Sequence, residues 1–226
     1  MKNRMIKVGN VVPSLKVADV SYNTEQIKQA ILEHQDCSIL LFPELCISGY
    51  TCADLFAHDA LLEASKNALS EIASIVDQQL IVVGAALKYH NSLYNCAVYI
   101  SQGKIIGIVP KIYIPTYSEF YESRWFTSGK EIKDTYIQFG NDKVPFSKTL
   151  LVEDPQSGAV VGCDICEDLW VADKPSTHAC LAGANIIVNL SASDELIGKE
   201  DYRRSMVSQQ SSSCYCAYCY VSSGVD

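Results

Sequence analysis

The amino-acid sequence predicts an α/β fold with a mixed sheet covered by helices, and three observations carry that expectation. Apolar runs of strand length alternate with stretches of helical period. Several of those runs are apolar almost throughout, the pattern of strands buried on both faces. One adjacent pair is joined by the tight turn Gln102-Gly103-Lys104, which inserts an antiparallel hairpin into the alternation.

Met5 to Val12 is the first expected strand. Asn23 has the chemistry of a helix N-cap, with Gln26 in the capping-box position and Ile27, Ala30 and Ile31 following at helical spacing. Ser38 to Phe42 is a buried strand that Pro43 ends. From Asp59 to Val76, Leu62, Leu69, Ile72, Ala73 and Val76 mark an amphipathic helix. Leu80 to Leu87, Leu93 to Ser101 and Lys104 to Val109 are strands, the last two forming the hairpin. Pro110 to Lys148 is irregular and rich in aromatics, Gly, Pro, Ser and Thr; a stretch of that length in a compact domain signals function or a hidden element. Ala159 to Ile165 and Ile186 to Leu190 are buried strands separated by a helical segment from Pro175 to Gly183. A helix from Asp201 to Tyr215 and a strand from Ala217 to Ser222 complete the order. The sequence stops at Val225-Asp226 directly after that strand, whose bare edge exposes hydrogen-bonding groups, so the expectation is a domain incomplete at its C-terminal end.

Composition bounds the function. The chain has 226 residues, 48% hydrophobic and 19% charged, enough for one large domain with a sizeable core. A net charge of -8, with no basic stretch, argues against nucleic-acid partners. The first residues contain no apolar signal region and no apolar run has membrane-spanning length, so no membrane partner and a cytoplasmic location are expected. The ten cysteines are then reduced thiols, and Cys37, Cys96, Cys180 and Cys214 sit in apolar runs where a thiol packs as a small hydrophobe. Cys163-x-x-Cys166 and Cys214-x-Cys216-x-x-Cys219 have ligand-like spacings, but strand alternation sends neighbouring thiols to opposite faces and no histidine accompanies them. No metal site is expected.

Three segments carry chemistry. Cys166 follows a buried strand in Gly-Cys-Asp-Ile-Cys-Glu-Asp-Leu-Trp, in a turn that would expose a nucleophilic sulfur. Glu44, in Phe-Pro-Glu-Leu, has apolar neighbours on both sides; burial there would raise its pKa towards the range of a general base. Lys111, in Val-Pro-Lys-Ile-Tyr-Ile-Pro, would present an ammonium to a developing oxyanion. Thiol, carboxylate and ammonium, each at a strand end, are the parts needed for acyl transfer through a thioester.

These segments resemble the Glu-Lys-Cys triad of the nitrilase superfamily of carbon–nitrogen hydrolases. More narrowly, Ile-Cys166-Glu-Asp-Leu-Trp, Pro-Thr-Tyr117-Ser-Glu-Phe-Tyr-Glu122-Ser-Arg-Trp-Phe and Asn189-Leu-Ser-Ala-Ser193-Asp-Glu-Leu-Ile-Gly-Lys199-Glu-Asp-Tyr-Arg-Arg resemble the N-terminal glutaminase domain of glutamine-dependent NAD synthetases. The resemblance spans residues 1–226 and implies a four-layer αββα sandwich with mixed sheets. It makes Glu44 the proton acceptor, Lys111 the oxyanion stabiliser and Cys166 the nucleophile. It places Tyr117, Ser193 and Lys199 on the L-glutamine substrate and Glu122 beside the lysine; by its sequence neighbours alone, Glu122 could equally be a surface acid paired with Arg124. It further implies that glutamine hydrolysis needs no cofactor, and that ATP and Mg2+ serve a downstream NAD synthetase domain, the domain's own partner, in a homo-oligomer. Two alternatives remain open: a free-standing carbon–nitrogen hydrolase acting on another amide or nitrile, and a non-catalytic scaffold domain of the same fold.

Overall fold

Side-chain alternation along the strands sorts this chain into two sheets and three apolar layers. In the computed structural model, which describes residues 5–154 and 157–224, β1 (Val8–Asn10), β2 (Ile39–Leu41), β3 (Leu80–Tyr89), β4 (Ser92–Ser101), β5 (Lys104–Pro110), β6 (Thr135–Phe139) and β7 (Asp142–Phe146) form one sheet. Its order is β1-β2-β3-β4-β5-β7-β6, parallel from β1 to β3 and antiparallel through the β3-β4-β5 meander. The second sheet holds β8 (Val152–Asp154), β9 (Ala159–Ile165), β10 (Ile186–Ser191) and β11 (Ala217–Ser222) in the order β11-β10-β9-β8, parallel except for β8. The Val225–Asp226 terminus noted in the sequence lies outside the described residues.

Ile39, Leu41, Val82 and Tyr99 of the first sheet meet Val161, Ile165, Val188 and Leu190 of the second, forming the core between the sheets. The intervening residues Leu40, Ile81 and Val83 face the other way, onto α1 (Val20–Glu33) and α2 (Asp59–Ile75), through Ile27, Ile31, Leu69 and Ile72. Ile187 of the second sheet and Ala184 just before β10 pack outward with Ala179 of α3 (Pro175–Leu181) and with Cys214, the last residue of α4 (Lys199–Cys214). The result is a four-layer αββα sandwich. Parallel strands β2, β9 and β10 therefore deliver their carboxyl ends to one rim, the usual place for a site in an α/β sheet.

Three local outcomes differ from the sequence expectation. The first helix starts at Val20, capped by Asp19, whose side chain accepts from the Tyr22 N–H at 3.1 Å. Asn23 is instead fully buried in the second turn. Its side chain accepts from Lys16 N at 2.7 Å and donates to Lys16 O at 2.9 Å and Ile47 O at 3.1 Å, tying the loop before α1 to the segment that carries Glu44. Second, the irregular stretch contains a hairpin, β6–β7, turning at Gly140 (φ +55°) and burying Ile137, Phe139, Val144 and Phe146. Pro145 disguises β7, because proline lacks the N–H that a ladder uses; the link of β7 to β5 is correspondingly slight, through Ile108 and Phe146. Third, β8 pairs antiparallel with β9 in a segment too short to read from its pattern.

Gly84 in β3 sets how closely the Glu44 segment rides over the sheet. A Cβ there would lie 2.3 Å from Leu45 N, 2.6 Å from Pro43 O and 2.8 Å from the Glu44 carbonyl carbon, all backbone atoms with little room to yield. Gly84→Ala is therefore expected to cost about 3 kcal/mol, the upper end for overpacking, seen as a lower melting temperature. A variant melting with the wild type would refute that closeness.

Candidate active site

The site begins with a lysine that is fully buried. Lys111 follows β5; its N–H donates to Asn95 O at 2.8 Å and its carbonyl accepts from Gly129 N at 2.8 Å, so both backbone groups are fixed. A buried ammonium is tolerated only when paired and hydrogen-bonded. Lys111 Nζ donates to Glu44 Oε1 at 2.6 Å and to Glu122 Oε1 at 2.7 Å. Burial pulls the ammonium down, but the charges of Glu44 and then Glu122 outweigh it, and Lys111 is held well above the ordinary lysine range.

Glu44 sits just after β2, where Pro43 breaks the strand, and is 1% exposed. Its Oε1 also accepts from Asn95 Nδ2 at 2.7 Å, and its Oε2 from the Ala192 N–H at 3.0 Å, just past β10. Burial raises the Glu44 carboxyl above the ordinary value of 4.5, the Glu122 charge adds to the rise, and Lys111 opposes it. Glu122 stands on a short 3-10 turn, Glu122–Arg124, inside the long irregular segment. It is buried and accepts from Tyr50 OH at 2.6 Å as well as from Lys111. Arg124 does not pair with it: its Nε and Nη2 donate to Asp54 at 2.7 and 3.0 Å, anchoring the turn from outside with Trp125 Nε1.

Cys166 opens the 3-10 turn Cys166–Leu169 directly after β9. Its φ of +46° is a conformation that a non-glycine residue adopts only when its surroundings impose it. Here Cys166 N–H donates to Asn189 Oδ1 of β10 at 3.2 Å. Asn189 is itself held by Tyr218 OH and Ser191 Oγ, and Tyr218 OH donates to the buried Asp164 at 2.7 Å. Burial pushes the Cys166 thiol up, and the Glu44 charge adds to that, while Lys111 and the Ala192 N–H pull it down. The resting sulfur is thus a protonated thiol within the electrostatic reach of both Glu44 and Lys111.

Cys166 also lines a cavity of about 410 Å³, together with Tyr117, Glu167, Trp170, Ser193 and Lys199. Glu44 and Lys111 are buried and do not line it. Tyr117 OH donates to Glu167 Oε2 at 2.8 Å. Lys199 is ion-paired with Asp194 and lies 5.2 Å from the Trp170 ring and 5.9 Å from that of Phe120. Ser193 is fixed through its N–H to Ser222 Oγ at 3.1 Å. The seven residues singled out in the sequence therefore fall into two groups that meet at Cys166: a buried charged set of Glu44, Lys111 and Glu122, and a cavity wall of Tyr117, Ser193 and Lys199. Among the described residues no group of three His, Cys, Asp or Glu side chains is arranged to hold a metal ion.

Sequence reasoning assigns no role to Asn95, Tyr50, Asn189 or Glu167, although Asn189 and Glu167 stand inside the motifs quoted above. Asn95 carried a usable signal, a lone amide in the apolar run of β4, since a buried polar group needs a partner. Tyr50 lies close after Glu44 in Ser-Gly-Tyr, whereas Asn189 reaches Cys166 only through strand pairing.

The sandwich and this thiol–ammonium–carboxylate site define a carbon–nitrogen hydrolase, and the chain belongs to that family: the carbon–nitrogen hydrolase model matches residues 7–222. Among curated relatives it is 40% identical over 195 residues to the glutamine-dependent NAD(+) synthetase of Mycobacterium tuberculosis, covering 84% of this chain and 29% of that protein. It is 36% identical over 224 residues to that of Mycobacterium leprae, covering 97% and 33%. The chain thus spans about a third of the length of the curated relatives it matches. The crystal structure of a glutamine-dependent NAD(+) synthetase from Cytophaga hutchinsonii superposes with a TM-score of 0.88 at 29% identity, over 98% of this chain and 36% of that one. An amidase from Nesterenkonia sp., 16% identical, shares the fold with a TM-score of 0.74, covering 98% of this chain and 78% of its own.

Glu122→Gln removes one of the two charges that hold Lys111 and is expected to destabilise the fold by about 3 kcal/mol, as when a buried pair is broken. The measurement is a urea midpoint at unchanged slope; a midpoint equal to wild type would show that Glu44 alone supports the ammonium.

Proposed function

We propose that this chain is the glutamine-hydrolysing domain of a glutamine-dependent NAD synthetase. The observation that carries the reading is the fully buried Lys111, bridging Glu44 and Glu122 beside a cavity-lining thiol. The similarity to glutamine-dependent NAD(+) synthetases supports the choice of glutamine.

Glu44 takes the Cys166 proton as the sulfur attacks the side-chain carboxamide carbon. Glu44 and Glu122 occupy two of the three ammonium hydrogens of Lys111, which leaves the third for the tetrahedral oxyanion. Collapse of that intermediate breaks the carbon–nitrogen bond; Glu44 returns the proton to nitrogen, ammonia leaves and a γ-glutamyl thioester remains. Water, deprotonated by Glu44, then attacks the thioester, releasing glutamate and restoring the thiol. A free amino acid brings charges of both signs. Lys199 suits the α-carboxylate, Glu167 the α-ammonium, and the hydroxyls of Tyr117 and Ser193 the remaining hydrogen bonds. The hydrolysis needs no cofactor. The ammonia would feed the ATP- and Mg2+-dependent amidation of nicotinic acid adenine dinucleotide in a synthetase domain, in the cytoplasm; no helix among the described residues is long and apolar enough to cross a membrane.

Wild-type protein is expected to release ammonia from glutamine and to gain the mass of a diazo-ketone glutamine analogue, less N2, on Cys166. Cys166→Ala should do neither, and an equal adduct on that variant would overturn the reading. Lys199→Ala should raise KM for glutamine at least tenfold with little change in kcat. Because the base must be ionised and Glu44 is held above 4.5, kcat/KM should fall with acidification at a pH above that value. An acid limb at or below it would exclude Glu44 as the base.

A further inference from the structure

One buried carboxyl near the site has no part in the chemistry above. Asp168 is 2% exposed and lies two residues beyond Cys166 in the same 3-10 turn. Its Oδ2 accepts from Ile165 N, just before the nucleophile, at 3.0 Å. Its Oδ1 accepts from Tyr113 N at 2.8 Å and Ile112 N at 3.3 Å, just after Lys111. The two oxygens of one side chain thus join the turn that carries the sulfur to the strand exit that carries the ammonium. A carboxylate is an unfavourable choice for mere packing here, because burial, and then the charge of Asp164, disfavour its ionised form; the Tyr113 and Ile165 N–H groups, and then Lys111, oppose that and favour the two-oxygen acceptor.

We propose that Asp168 is a positioning residue that sets the placement of Cys166 against Lys111. The need for such a clamp follows from the two parts it joins. Cys166 holds a left-handed backbone conformation that must be imposed from outside, and its own N–H is tied to the second sheet through Asn189. Lys111 leaves the first sheet just past β5, its N–H bonded to Asn95 of β4. Apolar packing between sheets is non-directional, whereas a chemical step loses rate steeply when reacting groups are misplaced by about an ångström. Ala192 N–H on Glu44 ties the sheets through β10; the bidentate Asp168 acceptor on fixed backbone donors adds a directional link between the cysteine turn and the lysine exit themselves. Asparagine is close in volume but offers only one accepting oxygen, so its NH2 would confront an N–H on one side and release either the cysteine turn or the lysine exit.

This inference rests on Cys166 as nucleophile and Lys111 as its electrostatic partner, and its test does not require glutamine. Iodoacetamide alkylates the sulfur with loss of iodide, and peptide mass mapping of the complete protein isolates the rate at Cys166 from that at the other cysteines. With Asp168→Asn, alkylation of Cys166 should slow at least tenfold and kcat on glutamine should fall at least tenfold, while KM stays within twofold and the circular dichroism spectrum is unchanged. Wild-type rates in the folded variant would overturn the proposal, as would a KM that rises in step with falling kcat. If Asp168→Asn does not fold, Asp168→Glu is read in its place: it keeps a two-oxygen acceptor displaced by one methylene, and wild-type rates there would equally overturn the clamp. A wild-type protein that fails to hydrolyse glutamine, yet loses Cys166 reactivity in Asp168→Asn, would overturn the glutaminase reading and sustain this one.

Discussion

The structure depends on the burial of one positive charge. Lys111 is held away from water by two carboxylates within 2.7 Å, and each of those is itself neutralised or hydrogen-bonded from a different part of the chain. Asn95 of β4 donates to Glu44 at 2.7 Å and to Glu122 at 3.5 Å, Ala192 after β10 reaches Glu44, and Tyr50 reaches Glu122. Breaking any one link leaves a buried charge short of a partner, which costs more than the link itself contributes. The ion triad therefore fixes the relative placement of segments far apart in sequence.

That electrostatic arrangement also explains how the thiol can be both protected and usable. Burial and the Glu44 charge hold the Cys166 thiol up, while the same carboxylate is raised above its ordinary value by burial, as the base of the proposed reaction requires. The two groups perturb each other in a dry site, and neither environment would arise if Glu44 were solvated at a strand end. The cavity wall stays separate from this set and bears its own charges, Lys199, Asp194 and Glu167. In the proposed reaction, binding and chemistry thus draw on different residues that share only the sulfur.

The strand ends were legible in the sequence because local physics decides them. A run of apolar residues stopped by Pro43 places Glu44, and the apolar stretch before Cys166 places the turn, with no tertiary information needed. Where a sequence feature had two local readings, packing chose between them. Asn23 and Gln26 mimic a capping box, yet Asp19 caps the helix and Asn23 is used to staple two loops. Glu122 has Arg124 close by, yet Asp54 claims the arginine and Glu122 turns inward. The β6–β7 hairpin was hidden by Pro145 and by its place in a segment dominated by turn-forming residues. Asn189 and Ala192 act on the site through register and backbone donors, which leave no trace in composition or spacing.

The Asn189 contact to the Cys166 N–H has a bearing on biosynthesis. As the polypeptide leaves the ribosome, the acid and the amine emerge before the sulfur, and the strand that restrains the sulfur's backbone emerges later still. Until β10 docks beside β9, the Cys166 N–H lacks its Asn189 acceptor. The backbone geometry of the proposed nucleophile is thereby set only once β10 has paired with β9.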